Sequence, residues 1–100
     1  MEYLVNITDN AYAMLEKNSL FLANVSPTAA DKLVDEILDD IDTLKNNPSR
    51  FPILEINIFT DCVYHRLLSC NRYLVLYEIW GDIVNVDYIV DCRSDYRWLI

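Results

Sequence analysis

Apart from Glu78, every position of Tyr73-Leu74-Val75-Leu76-Tyr77-Glu78-Ile79-Trp80 is apolar, and the run holds neither Pro nor Gly. A half-exposed strand alternates between apolar and polar side chains, so a run apolar at odd and even positions alike predicts a central strand covered on both faces. Gly81-Asp82 follows it and places Gly at the first position of a two-residue hairpin turn. Residues 83–90 should then fold back antiparallel. Upstream, residues 62–70 lead in through the turn Ser69-Cys70-Asn71-Arg72. The expected unit is a three-stranded meander that delivers Arg66, Arg72 and Arg93 to neighbouring places.

The pattern is different in the first half. Residues 2–8 read as a short strand in which Tyr3, Val5 and Ile7 share one side. Thr8-Asp9-Asn10 supplies capping oxygens, and Ala11, Leu15 and Leu22 begin a helical stripe with an ill-defined end. The second helix is clearer. Ser26 can cap its free amides, and Pro27 fits the first helical position without losing a hydrogen bond. Ala30, Leu33, Val34, Ile37, Leu38, Ile41 and Leu44 then recur at steps of three and four. Asn46-Asn47-Pro48 should end it, because Asn tolerates a left-handed backbone and Pro cannot continue the ladder. The expected fold is α+β: an N-terminal strand, an α-helical hairpin, then the three-stranded antiparallel meander. All strands lie in one sheet, with the helices packed on one face.

The connection after Arg50-Phe51-Pro52 is unusually apolar. Ile53, Leu54, Ile56, Ile58 and Phe59 suit either an extra edge strand or a strip covered by a partner, and burial against the chain's own core is the favoured reading. The end of the chain, Trp98-Leu99-Ile100, also needs cover. Ile56, Ile58, Phe59, Trp98 and Leu99 are therefore the candidate partner-binding residues.

Length and charge narrow the possibilities. The 100 residues are one domain with one core, residues 1–100, and the apolar fraction of 53% is that of a globular chain. No apolar run reaches the ~18 residues a membrane span needs. The opening Met1-Glu2 lacks the positive charge of a signal peptide, so a cytoplasmic protein is expected. The three cysteines have no ligand spacing, and Cys62 and Cys70 would stand ~27 Å apart on one strand. Free thiols are the expectation, with no metal and no cofactor. The net charge of −8 is uneven. Residues 1–61 carry four basic and eleven acidic side chains, and residues 62–100 carry four Arg and five acids. Direct nucleic-acid binding is not expected of such a chain. Asp31, Asp35, Glu36, Asp39, Asp40 and Asp42 line the outer side of the second helix, several near its C-terminus, where the helix dipole disfavours them. A solvated face is the plain reading, and a basic partner or a cation the functional one.

The order of these elements, with these residues, resembles the RelE/ParE superfamily of type II toxin–antitoxin toxins. Leu44-Lys45-Asn46-Asn47-Pro48-Ser49-Arg50-Phe51-Pro52 is similar to the family's Leu-x-x-x-Pro-x-x-Phe-Pro helix ending. Tyr64-His65-Arg66-Leu67-Leu68, the central strand, Gly81-Asp82 and Val84-Asn85-Val86-Asp87-Tyr88-Ile89-Val90 follow in the family's order. Cys92-Arg93-Ser94-Asp95-Tyr96 looks like the Arg-x-Asp-Tyr ending of the ParE side. The resemblance implies a toxin of a plasmid-stabilisation module, held inactive by a cognate antitoxin, with homodimerisation left open. ParE-type members poison DNA gyrase, and RelE-type members cleave mRNA on the ribosome.

RNA cleavage without a metal needs general acid and base groups and a stabilised phosphate charge. By the resemblance, Arg66, Arg93 and Tyr96 are the catalytic candidates if the chain is a ribonuclease. Many members have Arg where this chain has Leu74, and residues 62–90 contain no Lys. Gyrase binding needs no catalytic group and is the expected activity. The alternatives are a RelE-type endoribonuclease and a toxin-like interaction protein without toxicity. His65 neighbours Arg66 on a strand, so it points to the opposite face and reads as structural. For Arg66 and Arg93, a salt bridge to Asp87, Asp91 or Asp95 stands beside a functional role.

Overall fold

In the computed structural model, which describes residues 2–53, 64–70 and 72–92, the Tyr73 run lies inside a four-stranded sheet. The elements in chain order are β1 (Leu4–Ile7), α1 (Asp9–Ala23), α2 (Pro27–Asp42), β2 (His65–Ser69), β3 (Tyr73–Trp80) and β4 (Ile83–Asp91). Short 3-10 turns at Thr43–Lys45 and Pro48–Arg50 follow α2. The sheet order is β1-β4-β3-β2. The meander β2-β3-β4 is antiparallel, and β1 closes the far edge parallel to β4. The class is α+β, as expected, and the parallel edge strand is the addition. β2 begins at His65 among the described residues. Of the apolar connection only Ile53 is described, through a single antiparallel bridge to His65.

The two hairpin turns follow from local chemistry. Gly81 has φ +60°, and Trp80 pairs with Ile83 around it. Cys70 also takes a positive φ, 56°, in the turn closed by Arg72 N–H to the Ser69 carbonyl at 3.1 Å. Each helix is capped as its sequence predicts. The Thr8 hydroxyl accepts from Ala11 N–H at 3.2 Å, and the Ser26 hydroxyl from Ala29 N–H at 3.2 Å. Such a cap contributes about 1 kcal/mol.

The helices bury their stripes against one sheet face. Ala11 and Leu15 from α1, and Leu33, Ile37 and Ile41 from α2, meet Leu67, Tyr73, Val75, Tyr77, Val84, Val86 and Ile89. Tyr3, Val5 and Ile7 pack at the margin of this core. Leu76 is buried on the opposite face with Tyr64 and Val90, flanked by Met14, Leu74 and Tyr88. Both faces of β3 are therefore covered at its middle, although its end is not: Trp80 is 59% exposed. Each fully buried large apolar side chain contributes roughly 1.5–3 kcal/mol relative to exposure.

A β-bulge makes this two-faced arrangement possible. Tyr77 pairs with Val86 but Leu76 pairs with Tyr88, which leaves Asp87 as the extra residue of β4. Side chains alternate along a strand, so one inserted residue exchanges the faces beyond it. Val84 and Val86 before the bulge and Ile89 after it consequently all face the helices. β1 pairs with β4 as far as Val86, and Thr8 N–H reaches the Val86 carbonyl at 3.0 Å before α1 starts.

The phrase after α2 is fixed by three side chains. Asn47 takes the left-handed conformation, φ 50°, as its sequence position implied. The Arg50 guanidinium bonds the carbonyls of Thr43, Asn46 and Asn47, so it caps the helix end. The buried Tyr77 hydroxyl donates to the Pro48 carbonyl at 2.5 Å, and burial pushes its pKa up to about 12, against the opposing pull of Arg50. His65 bonds the Phe51 carbonyl through Nδ1 at 2.8 Å and stacks on Tyr77 at 5.4 Å, the structural part its strand position suggested.

The acidic side of α2 differs from a wholly solvated surface. Buried Ser69 donates to Asp40 Oδ2 at 2.6 Å, and the Cys70 thiol to Glu36 Oε2 at 3.2 Å. Asp40 and Glu36 thus hold the β2–β3 turn onto the helix. Two predictions follow from this packing. Val75→Asp should abolish the cooperative thermal transition, because an unpaired buried charge costs several kcal/mol, comparable with total stability. Ser69→Ala should lower stability by about 1–3 kcal/mol in denaturant titrations, since it strips a charged, part-buried acceptor of its donor. A transition surviving in Val75→Asp would show that β3 is not interior.

Candidate partner-binding face

The sheet face away from the helices carries the side chains that the core does not use. By strand register, Leu4 and Asn6 of β1 lie beside Ile83 and Asn85 of β4. Trp80, Glu78, Leu76 and Leu74 of β3 continue the face, and Arg66 and Leu68 of β2 end it. Leu4, Ile83 and Trp80 form an exposed apolar corner at the Gly81 turn, and Leu68 is exposed at the other edge. Such a surface, apolar at two ends, suits a protein partner better than solvent.

Between these ends lies a polar group that the sequence reading missed. The Tyr64 hydroxyl donates to Asp87 Oδ2 at 2.8 Å, and Trp80 Nε1–H donates to Glu78 Oε2 at 3.1 Å. Glu78 is only 9% exposed, and its Oε1 has no hydrogen-bond donor among the described residues. Burial pushes the Asp87 carboxyl above the usual carboxylate range; the Tyr64 hydrogen bond opposes that rise and the adjacent Glu78 adds to it. Burial, reinforced by the Asp87 carboxylate, raises the Tyr64 phenol as well. The available signals were Glu78 alone in an apolar run and the broken alternation at Val86-Asp87-Tyr88.

Arg66 and Arg72 are not gathered into one place. Arg72 bonds Asp91 Oδ2 through Nε at 3.2 Å and Nη2 at 2.9 Å, and lies over the Tyr73 ring. Asp91 was a candidate partner for Arg66 or Arg93, and Arg72 binds it. Arg66 is exposed and makes no ion pair among the described residues. It stands opposite Leu76, four residues along β3 from Arg72, or ~13 Å at strand rise. The expected clustering of Arg66 with Arg72 is therefore corrected by the register. Leu74, where many toxins of the resembled type carry Arg, packs half-buried against the Tyr64–Leu76–Val90 cluster. Arg93, Tyr96, Ile56, Ile58, Phe59, Trp98 and Leu99 lie outside the described residues.

Among the described residues, no group of three or more His, Cys, Asp or Glu side chains is arranged to hold a metal ion. Cys70 and Cys92 are free thiols, each raised by burial. No helix of the described residues is long and apolar enough to cross a membrane.

The family model described as the ParE toxin of the type II toxin-antitoxin system parDE matches residues 5–96. The chain belongs to the ParE toxin family. No curated protein matches it. A chain of the chromosomal ParDE toxin–antitoxin system from P. aeruginosa has the same fold, with a TM-score of 0.73 at 16% identity, over 90% of this chain and 96% of that one. For this ParE-family chain the sequence reading of family and fold therefore holds, and it holds despite the missing Arg at Leu74.

The raised Asp87 carboxyl has a consequence for stability. Between the ordinary Asp value and its raised folded value, the folded state binds more protons than the unfolded chain, so stability falls as pH rises through that interval. Asp87→Asn keeps an acceptor for Tyr64 and removes the titration. Relative to wild type it should gain stability as pH rises from about 4 to 7, measured as the difference in denaturant midpoint. A difference that stays constant across this range would contradict the buried-carboxyl assignment.

Proposed function

We propose that this ParE-family chain is the toxin half of a toxin–antitoxin module in the cytoplasm, that it arrests growth by binding DNA gyrase, and that a cognate antitoxin silences it by covering the open sheet face. The observation that supports gyrase binding over RNA cleavage is the poverty of cations on that face among the described residues. Metal-free cleavage of RNA needs several groups converging on one phosphate. Here Arg72 is committed to Asp91, and Leu74 fills the central place with a half-buried side chain. Binding to a protein target needs no such constellation. The exposed Leu4, Ile83, Trp80 and Leu68 support a protein partner on this face. Ile56, Ile58, Phe59, Trp98 and Leu99 extend the same proposal to the connection and the tail.

One observation favours the ribonuclease reading: Arg66 is exposed and without an ion pair among the described residues. On that reading Arg66, Arg93 and Tyr96 would act together on the phosphate. Expression of the chain alone under a tight promoter separates the two. A gyrase poison gives filamentous cells, a DNA-damage response and cleavage complexes with purified gyrase. A ribonuclease gives an immediate halt in translation and mRNA cut within ribosome-covered codons, lost in Arg66→Ala by on the order of a hundredfold in rate. The first pattern is expected, with Arg66→Ala fully active; normal growth would leave an interaction protein without toxicity. The gene should also adjoin a small open reading frame whose product forms a stable complex with the chain and raises its soluble yield.

A further inference from the structure

Among the described residues, the part-buried Asp87 and the buried Glu78 of the open face have no counter-charge. Asp87 has one hydrogen-bond donor, the Tyr64 hydroxyl, and Glu78 has one, the Trp80 indole. Neither forms an ion pair with Lys, Arg or His among the described residues. Two acids held together with two neutral donors must either keep a proton between them or receive a cation from outside.

The surroundings are built for the second outcome. A cleft of about 660 Å³ opens at the bulge, lined by Thr8, Asn10, Met14, Tyr64, Asp87 and Tyr88. Asp87 stands in its wall, and Glu78, nine-tenths buried and outside the lining, neighbours Asp87. The Tyr64 and Tyr88 rings meet edge to face, 5.8 Å apart at 65°. Ring faces attract a nearby cation, and Met14 offers an apolar surface to the methylenes that carry one. The cleft is fixed by the backbone, because Asn10 Nδ2 donates to the Asp87 carbonyl at 3.0 Å and holds α1 against the bulge.

We propose that this cleft is a receptor for a basic side chain, an arginine or lysine, presented by the antitoxin, with Asp87 backed by Glu78 as its counter-ion and Tyr64 and Tyr88 as its walls. The inference rests on the reading of the chain as a toxin neutralised by a protein partner. Charge complementarity selects that occupant. A net charge of −8 attracts a basic segment and repels a second copy of the chain, which carries the same excess of acid. A bare divalent cation would find too few oxygens, since Ca²⁺ takes ~6–8 and Mg²⁺ needs a near-octahedral set. Cation binding competes with protonation of Asp87, whose carboxyl is raised above the usual carboxylate range and faces the Tyr64 hydroxyl and the Glu78 carboxyl.

The test is calorimetric titration of the full chain with the protein of the adjoining open reading frame, for wild type, Asp87→Asn and Glu78→Gln. Wild-type affinity should strengthen as pH rises from about 4 to 7, as the Asp87 carboxyl gives up its proton. At neutral pH each variant should bind about ten- to a hundredfold more weakly and lose that pH dependence, while keeping a cooperative melt. Propylguanidinium chloride, added to wild type alone, gives a readout that needs no variant. It should shift the Asp87 and Glu78 carboxyl carbon resonances together with the Tyr64 and Tyr88 ring signals. Folded variants that bind within twofold of wild type, or propylguanidinium that leaves those resonances still, overturn the cleft as a receptor while the toxin–antitoxin reading stands. A wild-type chain with no affinity for the neighbouring gene product overturns both.

Discussion

The register change at Asp87 is the constraint on which the rest of the sheet depends. β3 has apolar side chains on both faces, and β4 must match it on both. A regular strand with Val84 and Val86 facing the helices would turn Ile89 to the open face and leave a hole in the core. The extra residue restores Ile89 to the helices and Tyr88 and Val90 to the second cluster. It also ends the pairing with β1 and brings α1 against the edge of β4. The same local change that completes the core therefore creates the cleft on the open side. Bulges elsewhere commonly re-aim a side chain in this way.

A sheet sealed on one face and partly open on the other divides the labour of the chain. Helix-facing residues stabilise, and they tolerate little change. Among the described residues the second face has a small apolar cluster, the buried Glu78 beside the part-buried Asp87, and exposed apolar ends, so it is less self-sufficient. A partner that covers Leu4, Ile83, Trp80 and Leu68 adds apolar burial to the fold itself. On the proposed reading, fold stability and antitoxin binding share one surface.

Much of this was legible in the sequence, because local rules dominate there. Ser26-Pro27 marks a helix start by capping, Gly81 marks a hairpin by its positive φ, and the stripe from Ala30 to Leu44 marks a buried helix face. The order of these signals carried the ParE-family resemblance. What could not be read depends on pairing between distant residues. The parallel docking of β1 on β4 joins residues about eighty positions apart, and no short pattern encodes it. Arg72, rather than Arg66, holds Asp91 because the strand register puts it there. Asp40 and Glu36 were counted with a solvated face, yet the β2–β3 turn brings Ser69 and Cys70 to them. The bulge did leave a trace: the apolar alternation of Val84 and Val86 changes phase at Asp87.

The central claim is that the open sheet face, and not the outer side of the helical hairpin, receives the antitoxin. Hydrogen–deuterium exchange of the chain with and without its partner tests it most directly. Binding should slow exchange at the β2 edge around Arg66 and Leu68, across the Trp80–Ile83 turn and at Tyr88, and leave the exposed residues of α2 unchanged. Protection confined to α1 and α2, with those sheet positions unaffected, would contradict it.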